Sequence, residues 1–163
     1  MARKVFFSFH YRRDAMRVSQ VRNSWVVRPN GEAQPFLDRA KWEEVKAGGD
    51  AAIQRWIDSN LRGASVTAVL FGAQTASRPW VNYEIRRSIE NGKGLLAIDI
   101  HDVKDPRHGA DVQGRNPLDL IDVRVGERKV KASQLYPTYG WIVDRGHENI
   151  GTWIEKAASA AGR

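Results

Sequence analysis

The most apolar run along the chain spans residues 65–72 (SVTAVLFG) and predicts a strand at the centre of a sheet. Residues 66–71 within it are apolar or β-branched without the alternation of a half-exposed strand, and Gly63 and Gly72 bound the run. A continuous run of this kind is typical of a strand whose two faces are both covered, as in a parallel sheet. We therefore expect helices on both faces of this strand.

A helix is predicted directly after this strand, opening in segment 77–85 (SRPWVNYEI). Its apolar residues recur every four positions: Val81, Ile85 and Ile89. They form one stripe that would pack on the sheet, and Gly92 and Gly94 provide the stop. Trp80 and Glu84 lie one turn apart at the edge of this stripe. Because a helix that follows a buried parallel strand starts at the crevice where open α/β sheets bind ligands, we expect a half-buried Glu84 there.

The rest of the chain alternates between strand and helix patterns. Further strands are predicted at residues 5–9, 35–38, 95–100 and 141–143. Helices are predicted after an Asp14 cap (Val18, Val21, Trp25), after an Asp50 cap (Ile53, Trp56, Ile57, Leu61) and near the end (Ile150, Trp153, Ile154, Ala157, Ala158). Residues 102–117, rich in Asp, Gly, Pro and His, predict a long loop, and residues 122–131 an exposed hairpin.

Strands that alternate with helices of about a dozen residues favour right-handed parallel crossovers. We therefore predict an α/β, flavodoxin-like, three-layer fold for residues 1–163 as a single domain. Its central parallel β-sheet has strand order 2-1-3-4-5 and helices on both faces, with an extra hairpin near the C-terminal part.

Composition narrows the class of protein. With 163 residues, 42% hydrophobic and 28% charged, the chain is typical of one soluble globular domain. It has no cysteine, which excludes disulfides and thiolate metal sites. Apart from His10, the histidines are His101, His108 and His147, and they lack metal-ligand spacing, so no metal site is expected. No apolar run approaches the ~18 residues of a membrane span, and a cytoplasmic location is expected.

The formal net charge of +7 invites a comparison with nucleic-acid-binding proteins. The basic residues, however, are scattered over several segments without an aromatic-interleaved patch. Specific nucleic-acid binding is therefore not expected, while a small anionic ligand would use the same field.

The loops argue against two common uses of this fold. A flavin or dinucleotide phosphate site needs glycines where backbone N–H groups approach phosphate, but segment 8–13 (SFHYRR) has none and no G-x-G-x-x-G or P-loop occurs elsewhere. A phospho-accepting receiver would need acids after the first strand and an aspartate ending the third. Here the third strand ends in residues 70–72 (LFG).

Spacing alone leaves the roles of the polar residues open. Glu84 at the start of a helix could serve the helix dipole and pair with Arg87 at i+3. His10 is compatible with a solvated loop residue, Asp38 with a turn, and Trp80 with core packing.

Three segments resemble a known family. Residues 5–11 (VFFSFHY) resemble the opening strand and loop of Toll/interleukin-1 receptor (TIR) domains, and segment 77–85 resembles their W-x-x-x-E helix. Residues 114–119 (GRNPLD) are similar to a G-x-N-P-x-D segment of ThsB-type proteins, the TIR-like subunits of the bacterial Thoeris anti-phage system.

This resemblance implies an enzyme that cleaves NAD+ as its substrate, without a cofactor, and releases nicotinamide. The product would be a cyclic ADP-ribose-type signal that activates a separate effector, after a phage-derived trigger or self-association. The resemblance implies Glu84 as the catalytic residue. It also implies these substrate-binding residues: Ser8, Phe9, His10, Tyr11, Asp38, Ser77, Arg78 and Trp80. The alternative is a non-enzymatic TIR-like adaptor, because the fold itself does not fix the function.

Overall fold

The computed structural model describes residues 3–35 and 39–163 and has the predicted α/β architecture. The strands are β1 (Arg3–Phe9), β2 (Gly31–Ala33), β3 (Val66–Phe71), β4 (Gly94–Asp99), β5 (Asp122–Val125), β6 (Arg128–Lys131) and β7 (Thr138–Gly140). The helices are α1 (Tyr11–Val26), α2 (Arg39–Ala47), α3 (Gly49–Arg62), α4 (Pro79–Glu90), α5 (Ala132–Leu135) and α6 (Gly146–Ala160). Short 3-10 turns cover Thr75–Ser77 and Pro117–Leu120.

Five strands form one parallel sheet in the order β2-β1-β3-β4-β7. Counted along the chain, this is the predicted order 2-1-3-4-5, and every residue of β3 is buried at its centre. The predicted hairpin is also confirmed, because β5 and β6 pair antiparallel as a separate ribbon. Val123 of this ribbon packs against the core on the α4 side.

The sheet separates two apolar layers because successive strand residues point to opposite faces. Val5 and Phe7 of β1 pack with α1 and α6 in one layer. Phe6 lies on the other face, against α3. Val69 and Phe71 of β3 pack on that same face against Val81 and Ile85 of α4. The apolar helix residues in these layers are the ones predicted from apolar spacing.

The second strand lies earlier in the chain than predicted. It covers Gly31–Ala33 and pairs with the start of β1, while residues 36–38 of the predicted strand 35–38 lie outside the described residues. The close packing of β2 on α1 explains the position: a Cβ on Gly31 would lie 2.0 Å from the Trp25 carbonyl oxygen. Only glycine fits there, and this contact has no signature in strand periodicity.

The last strand also lies earlier, at Thr138–Gly140 instead of 141–143. Tyr139 pairs with Ile98 of β4 and stacks on Trp153 of α6, at 4.2 Å between ring centroids. Trp141 instead packs its ring over Gly146, where a Cβ would lie 1.9 Å from the indole. The apolar run continues into an exposed turn, so apolar character alone misplaced the strand.

Neither predicted aspartate cap is a cap. Helix α1 begins at Tyr11 with His10 in the capping position, and Asp14 is buried inside the helix. Helix α3 begins at Gly49 after Gly48, so Asp50 lies within its first turn. Both helices start earlier than their acidic residues suggested. Helix α2 had no predicted counterpart.

Two other observations complete the architecture. Residues 102–117 contain no strand or helix of regular length, in agreement with the predicted loop, although Asp105 and Gly109 form an isolated bridge. Across residues 3–35 and 39–163, no helix combines the length and the apolar character needed to cross a membrane.

Candidate functional site

A cleft opens where β1 and β3 end, at the point where the strand order reverses direction. From β1 the chain proceeds to β2 on one side, whereas β3 lies on the other side and is followed by β4. Helix α1 starts directly after β1, and α4 follows β3 after a short 3-10 turn. This is the crevice in which open α/β sheets bind ligands. The lining residues with candidate chemistry are Phe9, His10, Tyr11, Arg12, Trp42, Trp56, Arg78, Trp80 and Glu84.

The 3-10 turn and the first residues of α4 set the direction of that helix. The Gly72 N–H donates to Thr75 Oγ1 over 2.8 Å and closes the turn. Arg78 is extended and Pro79 occupies the first helical position, where a missing N–H has no cost. Glu84 is therefore the sixth residue of the helix, beyond the turn in which the helix dipole favours a carboxylate.

Glu84 lies at the floor of the cleft and is only 8% exposed, more buried than predicted. Burial raises the pKa of its carboxyl to about 8, and the neighbouring Ser8 hydroxyl acts in the opposite direction by favouring the carboxylate. No ion pair joins Glu84 to any cation within the part of the chain that the structure describes. An empty cleft thus holds a largely protonated Glu84 at neutral pH.

The predicted ion pair between Glu84 and Arg87 does not form. The Arg87 guanidinium instead contacts Asp58 of α3 at 3.2 Å and Glu90 at 3.0 Å. Glu84 faces the sheet while Arg87 faces α3, so the two side chains diverge despite their i, i+3 spacing. Tyr83 also donates to Asp58, at 3.1 Å. Spacing along the helix showed that a pair was possible, but the packing of α4 excluded it.

Aromatic rings form a continuous stack along one wall of the cleft. Ring centroids lie 4.8 Å apart for Phe9 and Tyr11, 5.1 Å for Tyr11 and Trp42, and 5.8 Å for Trp42 and Trp56. The first two pairs are stacked and the third is edge-on. Such a wall offers flat π-surfaces to a ring and excludes water from the carboxyl below.

Trp42 and Trp56 were not predicted as site residues. Trp56 was predicted only as part of an apolar helical stripe, and Trp42 falls in a segment with no predicted element. Trp80 reaches the cleft too, half-buried and edge-on to Tyr83 at 5.5 Å. It therefore combines packing with exposure to the cleft, two roles that the sequence left as alternatives.

Two exposed arginines, Arg12 and Arg78, border the cleft. Within the described residues, 3–35 and 39–163, neither of them forms an ion pair. They are suited to an anionic part of a ligand. His10 is buried, and its pKa is lowered by that burial and then by Arg78, Arg13 and Arg12. His10 is therefore a neutral hydrogen-bonding group at neutral pH, and the cationic charge of the cleft comes from its arginines and from Lys46.

The other predicted residues have different positions. The Ser8 side chain is fully buried below the cleft and does not line it. Ser77 is exposed and its hydroxyl donates to the Gln74 carbonyl oxygen over 3.0 Å, outside the cleft lining. Asp38 lies outside the described residues.

The G-x-N-P-x-D segment packs against the loop that leads into α4. A Cβ on Gly114 would lie 2.1 Å from the Gly72 carbonyl oxygen, so this contact requires glycine. Asn116 accepts from the Leu118 N–H over 3.0 Å and donates to Thr138 Oγ1 over 2.8 Å. This segment thus supports the cleft from behind and lies outside its lining.

A parallel flavodoxin-like sheet with the glutamate of a W-x-x-x-E helix buried at its switch point defines a TIR-like domain. The model of the family described as "Thoeris protein ThsB, TIR-like domain" matches residues 6–105. The chain is also 33% identical over 192 residues to a Bacillus cereus (strain MSX-D12) protein named "Putative cyclic ADP-D-ribose synthase ThsB1", with 94% of this chain and 100% of that protein covered. The chain belongs to the Thoeris ThsB family of TIR-like proteins.

Proposed function

We propose that this TIR-like protein cleaves the bond between nicotinamide and ribose in NAD+ and forms a cyclic ADP-ribose-type signal. A partner effector would sense this product in anti-phage defence. The observation that carries the proposal is the buried Glu84 carboxyl at the floor of a cleft with an aromatic wall and an arginine rim. The printed name of the Bacillus cereus relative, a cyclic ADP-D-ribose synthase, supports the same reaction class.

One carboxyl group is sufficient for this chemistry. Ordinary glycosidases use two, because an alkoxide leaving group has to be protonated while a second carboxylate stabilises the sugar cation. Nicotinamide leaves from a positively charged pyridinium as a neutral molecule, so no proton has to be delivered to it. The remaining task is to stabilise an oxocarbenium-like ribose, which the Glu84 carboxylate does by its charge.

The high pKa of Glu84 fits a cationic substrate. The carboxyl is largely protonated in the empty cleft because burial disfavours its charge. A pyridinium ring bound nearby supplies the missing positive charge, lowers the pKa and favours loss of the proton to solvent. Binding of the oxidised nucleotide would thereby generate the carboxylate that the developing ribose cation requires.

The wall and rim of the cleft account for the rest of the substrate. The Tyr11 and Trp42 rings offer a stacking surface for nicotinamide or adenine. Arg12 and Arg78 offer positive charge to the diphosphate. Exclusion of water decides between two fates of the ribose cation: water gives ADP-ribose, whereas a nucleophile of the same nucleotide closes a ring.

The burial of Glu84 argues against a docking role for this residue in the adaptor alternative. A protein partner docks on exposed groups, yet the Glu84 carboxyl is 8% exposed below an aromatic wall. A small ligand reaches it through the cleft, and a folded partner surface does not.

The direct test is Glu84→Gln, with nicotinamide release from NAD+ followed by chromatography. We expect the rate to fall on the order of 10²-fold or more, the scale for loss of one preorganised electrostatic contact to a transition state. Glu90→Gln is the matched control, because Glu90 lies on the same helix but is exposed and pairs with Arg87. Wild type is assayed at high protein concentration and with lysate of phage-infected cells, to supply self-association and a trigger. A folded Glu84→Gln protein with the wild-type rate would show that Glu84 is not the catalytic residue, whereas a wild type that releases no nicotinamide under these conditions would favour the adaptor.

A further inference from the structure

Helix α4 lies across the sheet with polar side chains at two successive levels. At the lower level, Thr67 Oγ1 of β3 and Ser88 Oγ of α4 are 2.7 Å apart. At the upper level, Ser8 of β1 lies beside Glu84 of α4. The two levels match, because β1 residue Ser8 is in register with β3 residue Val69, two residues beyond Thr67. Two strand residues and one helical turn both span about 6 Å.

The hydroxyls of the two levels differ in their hydrogen bonds. Ser88 is fully satisfied, since its hydroxyl contacts Thr67 and also donates to the Glu84 carbonyl oxygen over 2.7 Å. The Ser8 hydroxyl is completely buried and has no hydrogen bond of ordinary geometry within residues 3–35 and 39–163. A buried hydroxyl without a hydrogen-bond partner costs free energy and is uncommon in folded proteins, so its presence needs an explanation.

We propose that Ser8 is a positioning residue, whose hydroxyl donates a hydrogen bond to the Glu84 carboxylate when a cationic ligand occupies the cleft. The inference rests on the proposed function for the identity of that ligand. Ser8 itself does not line the cleft, so it acts through Glu84 and makes no contact with the nucleotide. A protonated Glu84 is a weaker acceptor than the carboxylate, and in the empty cleft the Ser8 hydroxyl has no hydrogen bond of ordinary geometry to any described residue.

No other group around the cleft is given the role of hydrogen-bond donor to the Glu84 carboxylate in this proposal. The titratable side chains lining it are His10, Tyr11, Arg12, Arg22, Lys46 and Arg78. These come from α1 and its start, from α2, and from the residue before α4, while the β3 and β4 residues facing α4 at this level, Val69 and Ala97, are uncharged. In the empty cleft the pKa of Glu84 responds to burial and to Ser8.

The first test follows the titration of Glu84 without using activity. Thermal stability is measured from pH 5 to pH 9.5 for each Ser8 variant with and without Glu84→Gln, and the difference within each pair gives the Glu84 midpoint. We expect Ser8→Ala to move the midpoint upward by about one pH unit, the scale of one hydrogen bond to a charged group. Ser8→Cys, a weaker donor of similar size, should move it less.

Thr67→Ala is the matched control, because it removes a buried hydroxyl on the same sheet face one level below. It should leave the Glu84 midpoint unchanged. An unchanged midpoint in Ser8→Ala, or an equal shift in Thr67→Ala, would overturn the proposal. This titration decides the matter even if wild type releases no nicotinamide, so failure of the proposed function is distinguishable from failure of the Ser8 assignment.

The second test uses the pH profile of kcat/KM for nicotinamide release. Ser8→Ala should be roughly tenfold slower at pH 7 and recover toward wild type at pH 9.5, where Glu84 is ionised in both proteins. A loss that is uniform over pH and arises from KM would instead mean that Ser8 contacts the nucleotide, and would overturn the positioning role.

Discussion

Asp14 and Glu84 are both buried carboxyls at the carboxyl edge of the sheet, and burial raises the pKa of both. Their surroundings differ. Asp14 forms an ion pair with Arg17 at 3.2 Å, and this guanidinium opposes the rise of its pKa. Glu84 has no cation beside it in the described chain, only the Ser8 hydroxyl. Asp14 therefore has a cationic partner within the described chain, and Glu84 does not.

The Asp14 side of the edge is a closed network. Besides its contact with Asp14, Arg17 donates to the carbonyl oxygens of Val103 and Gly109, at 2.9 Å each. Arg13 binds Asp111 through two hydrogen bonds of 2.9 and 3.0 Å. These contacts tie α1 to the loop after β4. Asp14, which has partners, therefore has a structural role, and Glu84, which has no cation beside it in the described chain, is the candidate for a catalytic role.

The largest expected effect is on the Asp14 side. Asp14→Asn leaves Arg17 buried beside a neutral amide, and loss of one partner of a buried pair costs about 3–5 kcal/mol of unfolding free energy. We expect the lower part of this range, because Asp111 also lies 3.8 Å from Arg17 and because burial, which raises the pKa of Asp14, already disfavours the charge that the substitution removes. Urea unfolding measures the change. Asp122→Asn is the control, since its pair with Lys131 is half-exposed and should contribute far less to stability than a buried pair.

Equal stabilities of the Asp14→Asn and Asp122→Asn proteins would remove the distinction between the two carboxyls. Asp14 would then be a second candidate for chemistry instead of a structural charge.

Glu84→Gln should change stability in the opposite direction at high pH. The pKa of Glu84 is raised from 4.5 to about 8, so the folded protein holds this proton more tightly than the unfolded chain. Relative to Glu84→Gln, wild type should lose stability as the pH rises from 4.5 to 8, at about 1.4 kcal/mol per pH unit at most. Above pH 8 the variant should be more stable by a few kcal/mol. Urea unfolding at pH 5 and pH 9 checks the sign, and a pH-independent difference would contradict it.

Trp42→Ala tests the aromatic wall of the cleft that contains Glu84. Loss of one stacking partner should weaken NAD+ binding roughly 3- to 10-fold, the scale of about 1 kcal/mol for an aromatic pair. Calorimetric titration in the Glu84→Gln background measures binding without turnover. Trp42→Phe should retain most of the affinity, and equal affinities of all three proteins would place the ligand elsewhere.

The smallest effect is expected at the rim. Arg78→Ala should weaken NAD+ binding by about two- to fivefold at low salt and by less at high salt, because exposed charges are screened. Arg86→Ala makes the same change of charge on the exposed side of α4, outside the cleft, and should have no effect. Similar losses for both variants would indicate a general field effect instead of a diphosphate contact.

Much of the fold follows from local patterns. Within a single element, the period of the apolar residues predicts which face is buried. This holds for the continuous apolar run of β3, the four-residue spacing in α4 and the apolar stripe of α6. The W-x-x-x-E segment likewise placed Glu84 near the switch point, since a helix after a central parallel strand can start only at that edge.

The surroundings of Glu84 depended on contacts between distant segments. Its burial, the Trp42 stack on Tyr11 and the diversion of Arg87 to Asp58 each join residues from different elements. No periodicity within one element records such a contact.

The same reason separates Asp14 from Glu84. As isolated acids near helix starts they have the same chemistry, and the sequence determined only that both occur there. Arg17, three residues along the same helix, pairs with Asp14 and is held there by the carbonyl oxygens of Val103 and Gly109 in a distant loop, whereas the aromatic wall lies over Glu84. Because the cost of a buried charge depends on what lies within a few ångströms in space, only the folded structure decided which of the two carboxyls has no cation beside it in the described chain.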